Sequence, residues 1–501
     1  VLFGQSRHTL AHHVVLISAF TGCTALVIYI STAATTYTDR FGGVDGGELT
    51  AAALNGGVAH PSGYPTYLLL ARAALQLSSG EPAAVLARLS AVCTAFAVGG
   101  TASLLYLLLC RTQFPPSAAL IGSLYGAFVA TLSPRIWSQA VIVEVYALHL
   151  LLLIVCSLLV FLWLVTHHDR ALLGFALILG LGLGNHLTLA MVGPAAAIAW
   201  LVSNQRPALT SRRVALMLGG LTLGLAVYAC LPFWSGREAL PSWGDQRTLA
   251  GFWTHVTGAE YRYLIGVVPL SQRLSRVSYA ARDLLAQPGW LGLIIAVWLG
   301  IPWLWRTCRP MLALTGSIAL GNLLFASTYG GADGTVYLIG WTWAWCIWAG
   351  VGAAMLWQNL RYPLRLGFGT ILLVTLIWSL RDRYPQFNLR NDTAARDQAL
   401  AQLALLPTDA VLLTSDDRDT FASWYVQSVL ELRPDVLVLD TRLWQHQWYR
   451  AQIARVLAQP SLDTLCPALT GSRRPVYAAT TLGAPQAVPD TTLHGQLCPT
   501  D

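Results

Sequence analysis

Over its first three-quarters the chain alternates long apolar runs with short polar breaks. Crossing a bilayer as a helix takes roughly 20 apolar residues. Eleven runs approach that length: 14–34, 84–110, 117–133, 138–165, 171–184, 187–203, 212–234, 289–305, 311–328, 336–357 and 364–380. The fifth and sixth are short and separated only by Asn185 and His186, which reads as a tight hairpin or one broken element. After Arg381 the pattern changes. Residues 410–414 read as a buried strand, 420–432 as a helix and 435–440 as a second strand, a βαβ unit of a small α/β domain. The last ~40 residues are Pro-rich and weakly periodic, which predicts loops with short strands. The expected fold is an α-helical polytopic membrane protein with about 11 transmembrane helices (1–381) and long outer loops at 35–83 and 235–288. A small C-terminal α/β domain (382–501) follows.

Composition sharpens this picture. Of 501 residues, 55% are hydrophobic and 11% charged, against about 25% charged in soluble proteins. Those figures exclude a disordered chain, a disulfide-framework mini-protein and a typical soluble enzyme. The net charge of +7 is spread over the breaks as arginines, and the chain has no lysine. No basic cluster with interleaved aromatics suggests a nucleic-acid partner. With the N-terminus in the cytoplasm, the cytoplasmic segments hold Arg7, Arg111, Arg170, Arg206, Arg212, Arg213, Arg306, Arg309, Arg361 and Arg365. The short outer loops hold only Arg135. This bias predicts a cell-membrane protein with both long loops and the C-terminal domain outside the cytoplasm. Seven of nine cysteines lie in or beside apolar runs, as small apolar residues. Cys466 and Cys498 stand alone in the exported domain and could pair in an oxidising compartment.

The unusual polar residues gather on that outer face. The first outer loop carries Asp45 and Glu48 at i, i+3 spacing, close behind the opening span. A carboxylate at a lipid–water boundary could serve as general base, whereas the same spacing also reads as a capping box. The segment from His60 to Pro65 holds two prolines and a glycine, a rigid turn that would fix His60 and Tyr64. Glu144 is placed inside the fourth run, roughly 10 Å below Trp137, where a carboxylate must face a cavity or a partner such as Arg88. Arg135 breaks the charge bias as an anionic ligand would require. Asn185 and His186 end the Gly180–Gly182–Gly184 stripe, which permits close helix approach. The second outer loop adds Trp243, Asp245, His255 and Arg262, and the loop between the ninth and tenth runs adds Asp333. Aromatics among polar groups suit either sugar stacking or interfacial packing. Polar groups between midplane repeats, or polar stripes along several spans, would mark a transporter or channel and are absent.

These motifs, in order, resemble a known family. Asp45-Gly-Gly-Glu48-Leu is followed by Gly57-Val-Ala-His60-Pro-Ser-Gly-Tyr64-Pro-Thr-Tyr67, then Trp137-Ser-Gln-Ala with Glu144-Val-Tyr146. Gly184-Asn185-His186-Leu-Thr, Trp243-Gly-Asp245, Gly251-Phe-Trp-Thr-His255 and Leu412-Leu-Thr-Ser-Asp416-Asp417-Arg-Asp419 complete the set. The chain resembles a bacterial and animal branch of the GT-C glycosyltransferases. The animal member is a transmembrane protein O-mannosyltransferase acting on plexin-type immunoglobulin-like domains. The resemblance implies inverting transfer of a hexose, most simply mannose, from a polyprenyl-phosphate donor to a hydroxyl, with protein Ser/Thr or a glycan as acceptor. Asp45 and Glu48 are the implied acids, and Arg135, His60 and Arg262 the candidates for stabilising the leaving phosphate. No cofactor is required, although the carboxylates with His60 could bind a divalent metal. The family often has Ser where Gly46 or Gly47 stands and Pro where Ser62 stands. Competing readings are transfer to an envelope lipid or glycan, a lipid-linked-sugar flippase, and a non-catalytic sensor.

Overall fold

The computed structural model describes residues 7–235, 241–287, 289–331, 334–458, 474–480 and 484–488. Within them the apolar runs are helical over most of their length, but not all are long enough to span. α1 (Arg7–Thr32), α2 (Gly46–Asn55), α3 (Pro65–Leu77), α4 (Pro82–Arg111), α5 (Pro116–Leu132), α6 (Pro134–Ala140), α7 (Tyr146–Thr166) and α8 (Asp169–Leu183) build the N-terminal part. Among the described residues eight helices are long and apolar enough to cross a membrane, or nine if α5 and α6, bent by 64°, form one span. The count falls below eleven because α8 and the segment Leu187–Leu201 have only 15 residues each. At 1.5 Å per residue each reaches about 22 Å, short of the roughly 30 Å hydrocarbon core. Helix Tyr362–Phe387 shows its apolar side outward, with Leu373, Ile377 and Trp378 exposed, as a lipid-facing helix should.

Close packing uses small residues. A Cβ on Gly99 of α4 would stand 2.9 Å from the Ser18 carbonyl oxygen of α1. One on Gly180 of α8 would stand 2.9 Å from the Gly224 Cα of helix Ser211–Leu225, so the glycine stripe read from the sequence does seat two helices together.

The expected fourth run is interrupted. Ser133 is extended ahead of Pro134, which starts α6, and the chain leaves helical geometry between Ala140 and Tyr146. Glu144 therefore sits in a link between two helices and not inside one, a correction to its placement by hydropathy.

Neither of the segments 35–83 and 235–288 is plain loop. α2 is an alanine-rich helix, buried from Gly46 to Ala53 and closed by Gly56 at φ 79°, whose N–H bonds the Ala52 carbonyl. α3 begins with Pro65 at its first position. The second segment contains Leu249–Val256 and Leu270–Asp283.

The C-terminal part is a small open sheet with strand order β2-β1-β3-β4. β1 (Val411–Thr414) pairs in parallel with β2 (Leu437–Asp440) and β3 (Val476–Ala478), and β4 (Gln486–Ala487) runs antiparallel to β3. Helix Asp417–Ser428 makes the crossover from β1 to β2. It starts three residues before the expected position because Asp416 caps it, accepting from Asp419 N–H at 2.9 Å. Cys466 and Cys498 lie outside the described residues.

This helix is seated on α2. Tyr37 meets Tyr425 with ring centres 5.3 Å apart, and Arg418 pairs with Asp39 at 3.1 Å. A Cβ on Gly47 would run into the Phe421 carbonyl, 2.9 Å from its carbon. Gly47→Ala is expected to pry the two helices apart and cost about 1–3 kcal/mol as an overpacking change. A lower melting temperature and faster proteolysis after Phe387 would report it.

Candidate active site

The turn between α2 and α3 makes the centre of the site. Gly63 at φ +85° and Tyr64 at φ 42° curl it back on itself. The turn rests on His255, whose Nε2–H donates to the Ala59 carbonyl at 3.0 Å. Burial drives His255 down to about 3, against that bond and with the charge of His60, so it is a neutral support. His60 is thereby presented to Glu48. Its backbone N–H donates to Glu48 Oε1 and its Nδ1–H to Oε2, both at 2.7 Å. On the other edge of the ring, Nε2 meets the Tyr64 hydroxyl at 2.8 Å and Asp45 Oδ2 at 3.7 Å. Burial would depress the His60 imidazole, but the Glu48 and Asp45 carboxylates outweigh it and hold it up at about 10. The ring is an imidazolium between two acids.

The two acids differ in access. The Glu48 side chain is 0% exposed and spent on His60, whereas that of Asp45 is 33% exposed. Asp45 holds the N-cap position of α2 without making a side-chain cap bond. It lines a cavity of about 1710 Å³ together with His60 and Tyr64. Gly46 packs on Val143, with a Cβ placed 3.2 Å from the Val143 carbonyl, which brings Glu144 to the same wall. Burial, and next the Asp45 charge, push the Tyr64 and Tyr261 phenols well above their ordinary value, so both stay protonated donors at the cavity wall.

Of the other residues read from the sequence, Arg135, Glu144, His186, Trp243 and Arg262 line this cavity. Arg135 is already engaged, with Asp283 at 2.6 Å and the Thr335 carbonyl and Thr342 hydroxyl besides. Arg262 is exposed at the rim. His186 bonds Thr188 at 2.7 Å and stacks on Tyr64. Trp243 bridges the parts: its backbone N–H donates to the Val58 carbonyl and its ring meets His60 and Phe421. Glu48, Asn185, Asp245 and His255 are not on the cavity wall. Asn185 is buried, donating to the Val145 carbonyl, and Asp245 pairs with Arg247. Asp333 lies outside the described residues.

Sequence reading missed the roof. Asp416, Asp417, Arg442 and His446 of the C-terminal part line the same cavity. Arg442 holds Asp417 at 2.7 Å and the fully buried Asp440 at 2.8 Å, and His446 approaches Glu260 at 3.9 Å. The Asp416–Asp419 run was visible, but nothing local tells that it caps a helix docked over α2. Asp45, Glu48 and His60 turn toward one another, and among the described residues no group of three or more His, Cys, Asp or Glu could hold a metal ion.

Asp45, Glu48, His60, Tyr64, Glu144 and the Asp416–Arg442 roof lie in segments matched by known families. Residues 45–209 match the Protein O-mannosyl-transferase TMEM260 N-terminal domain, and residues 395–463 match the TMEM260-associated domain 2. Protein O-mannosyl-transferase TMEM260 of Mus musculus is 26% identical over 454 residues, 83% of this chain. The chain spans 62% of that relative's length. The crystal structure of ArnT from Cupriavidus metallidurans bound to undecaprenyl phosphate is similar at TM-score 0.54 and 12% identity, covering 86% of this chain and 91% of ArnT. The apo state of ArnT gives TM-score 0.50 at 13% identity, covering 87% and 91%. In its matched segments the chain is similar to the TMEM260 family, and in fold it is similar to ArnT.

Proposed function

We propose that the chain is an inverting glycosyltransferase that moves a hexose from a polyprenyl-phosphate donor to a hydroxyl acceptor. The observation that carries this reading is the Asp45 carboxylate, open to a large cavity and set beside a buried His60–Glu48 pair. In this scheme Asp45 takes the proton of the acceptor hydroxyl as its oxygen attacks the anomeric carbon. The bond from that carbon to the phosphate oxygen breaks on the opposite face, and the lipid phosphate leaves with the electron pair. Arg262 at the rim, with the protonated phenols of Tyr64 and Tyr261, supplies charge and donors for the departing phosphate. Glu48 does not touch substrate and acts by holding His60.

The similarity to a protein O-mannosyl-transferase supports mannose as the sugar and a protein Ser/Thr hydroxyl as the acceptor. The ArnT likeness supports a polyprenyl phosphate as the carrier. The arginine bias supports a cytoplasmic N-terminus, eleven crossings if both short helices pass through the bundle, and an extracytoplasmic unit from residue 382 onward. The test is incubation of the purified protein in lipid nanodiscs with polyprenyl-phosphate mannose and a Ser/Thr-containing protein acceptor, followed by mass spectrometry. Hexose on the acceptor with release of polyprenyl phosphate supports the reading. Passage of the lipid-linked sugar across a bilayer with no glycoside formed would overturn it.

A further inference from the structure

A second cavity lies apart from the one that Asp45 lines. It is a groove of about 520 Å³ lined by Leu26, Val27 and Ile30 of α1, by Thr35, and by two arginines, Arg88 of α4 and Arg390. It shares no lining residue with the larger cavity. The packing of α1 on α4 sets its height. A Cβ on Gly22 would stand 3.2 Å from the Ala95 carbonyl oxygen, and Gly99 meets Ser18 a turn away. That antiparallel register puts Arg88 level with Tyr29 and Ile30, within a turn of the end of α1 at Thr32. Val27 and Ile30 are exposed, on the lipid-facing side of a helix apolar enough to span. Arg88 is exposed beside them, so it is not the partner that the sequence offered for Glu144, which lines the other cavity. Arg390, also exposed, stands in the link between helix Tyr362–Phe387 and helix Ala394–Ala404, where the membrane part gives way to the C-terminal part. Two bonds fix that link to the end of α1. Leu389 N–H donates to the Thr32 carbonyl at 2.9 Å, and the Thr35 hydroxyl donates to the Arg390 carbonyl at 2.8 Å.

The charges in this groove are one-sided. Among the described residues no acid pairs with either guanidinium. The nearest acids along the chain are engaged elsewhere: Glu81 caps α4, accepting from Ala84 N–H at 2.7 Å, and Asp392 accepts from the Thr38 hydroxyl at 2.5 Å. An ionisable side chain within a span is costly unless something meets it. From within a turn of the helix end, Arg88 can extend to the headgroup level, where phosphates are the available anions. A guanidinium presents a rigid fork of donors that matches a phosphate. No acid lines the groove, so it offers nothing to the ammonium of a zwitterionic lipid. We propose that the groove binds an anionic phospholipid from the leaflet on the side of the C-terminal part. Its phosphate is held between Arg88 and Arg390, and one acyl chain runs along Val27 and Ile30. Bound there, the lipid ties α4 to the link and so helps to hold the C-terminal part in place over α2. The proposal stands or falls apart from the transferase reading, whose residues line the other cavity.

The experiment uses the full chain in detergent and follows lipid binding by native mass spectrometry. The probes are phosphatidylglycerol and phosphatidylcholine with the same acyl chains. The wild type should bind phosphatidylglycerol about tenfold or more tightly than phosphatidylcholine. Arg88→Gln and Arg390→Gln should each weaken phosphatidylglycerol about fivefold and leave phosphatidylcholine within about twofold. Neither side chain has an ion pair to lose, so both variants should melt with the wild type in lipid-free detergent. Added phosphatidylglycerol should then raise the melting temperature of the wild type well above that of either variant. Arg361→Gln removes an exposed arginine from the opposite end of helix Tyr362–Phe387 and controls for charge in general. Equal weakening by Arg361→Gln, no preference for phosphatidylglycerol in the wild type, or unchanged binding in both groove variants overturns the site. Displacement of phosphatidylglycerol by an equal concentration of polyprenyl phosphate overturns it too, because the groove would then belong to the carrier of the donor.

Discussion

Asp45→Asn is expected to lower hexose transfer by about 10²–10⁴-fold, the span that a positioned general base contributes. Binding of the polyprenyl-phosphate donor should stay within about twofold of wild type, because asparagine keeps the size and shape of the side chain. The loss follows from how the neighbouring acids are used. Glu48 is sealed in and committed to His60 through both oxygens. Asp417 is held by Arg442 on the roof. Asp45 alone of these combines exposure to the cavity with contact to the imidazolium edge of His60. Asp45→Glu keeps the base but displaces it by one methylene, and should fall between wild type and the amide. Initial rates at saturating acceptor, with donor affinity measured separately, check both variants. An amide variant that keeps more than about a tenth of the wild-type rate would remove Asp45 from the role.

What was legible in the sequence follows from what each signal depends on. Runs of apolar residues gave the helices, because burying backbone in lipid leaves a helix as the only solution for a single segment. The same signal could not show the break at 141–145. Val141, Ile142 and Val143 are apolar and buried whether helical or extended, so hydropathy does not distinguish the two. Glu144 was consequently found as an unusual acid but placed at the wrong kind of position. Asp45 and Glu48 were recognised together by their spacing, yet what separates them is His60, twelve residues beyond Glu48 and brought back by a glycine turn. His255 and Asp245 shared a motif with Trp243, but only Trp243 reaches the cavity. The roof residues were hidden for a different reason. Nothing local marks Asp417 or Arg442 as site residues; they join the cavity only because the Asp417–Ser428 helix is laid across α2, a contact some 370 residues apart in the chain.

Glu48→Ala should cost about 3–5 kcal/mol of folding stability, the range for a buried pair stripped of one partner. Without Glu48, the largest raising influence on His60 is gone, and burial, opposed only by Asp45 and Asp417, brings its titration down from the wild-type position. The pH dependence gives the sign. In the wild type the imidazole is raised from 6.5 to about 10, so folded protein holds its proton more tightly than unfolded protein does. The resulting stabilisation is complete below about pH 6.5 and is lost as pH rises through about 10. Melting temperatures of the purified protein should therefore fall over that window in the wild type. In Glu48→Ala this component should shrink, because the histidine then holds its proton less tightly. A double variant, Glu48→Leu with His60→Leu, removes both charges together and should regain most of the lost stability, because no uncompensated charge remains in the interior. Transfer should not return with it. Asp45 would then face a leucine in place of an imidazolium, and Tyr64 would lose the ring nitrogen that holds its hydroxyl at 2.8 Å, so the pair organises the chemistry of the site separately from its contribution to folding.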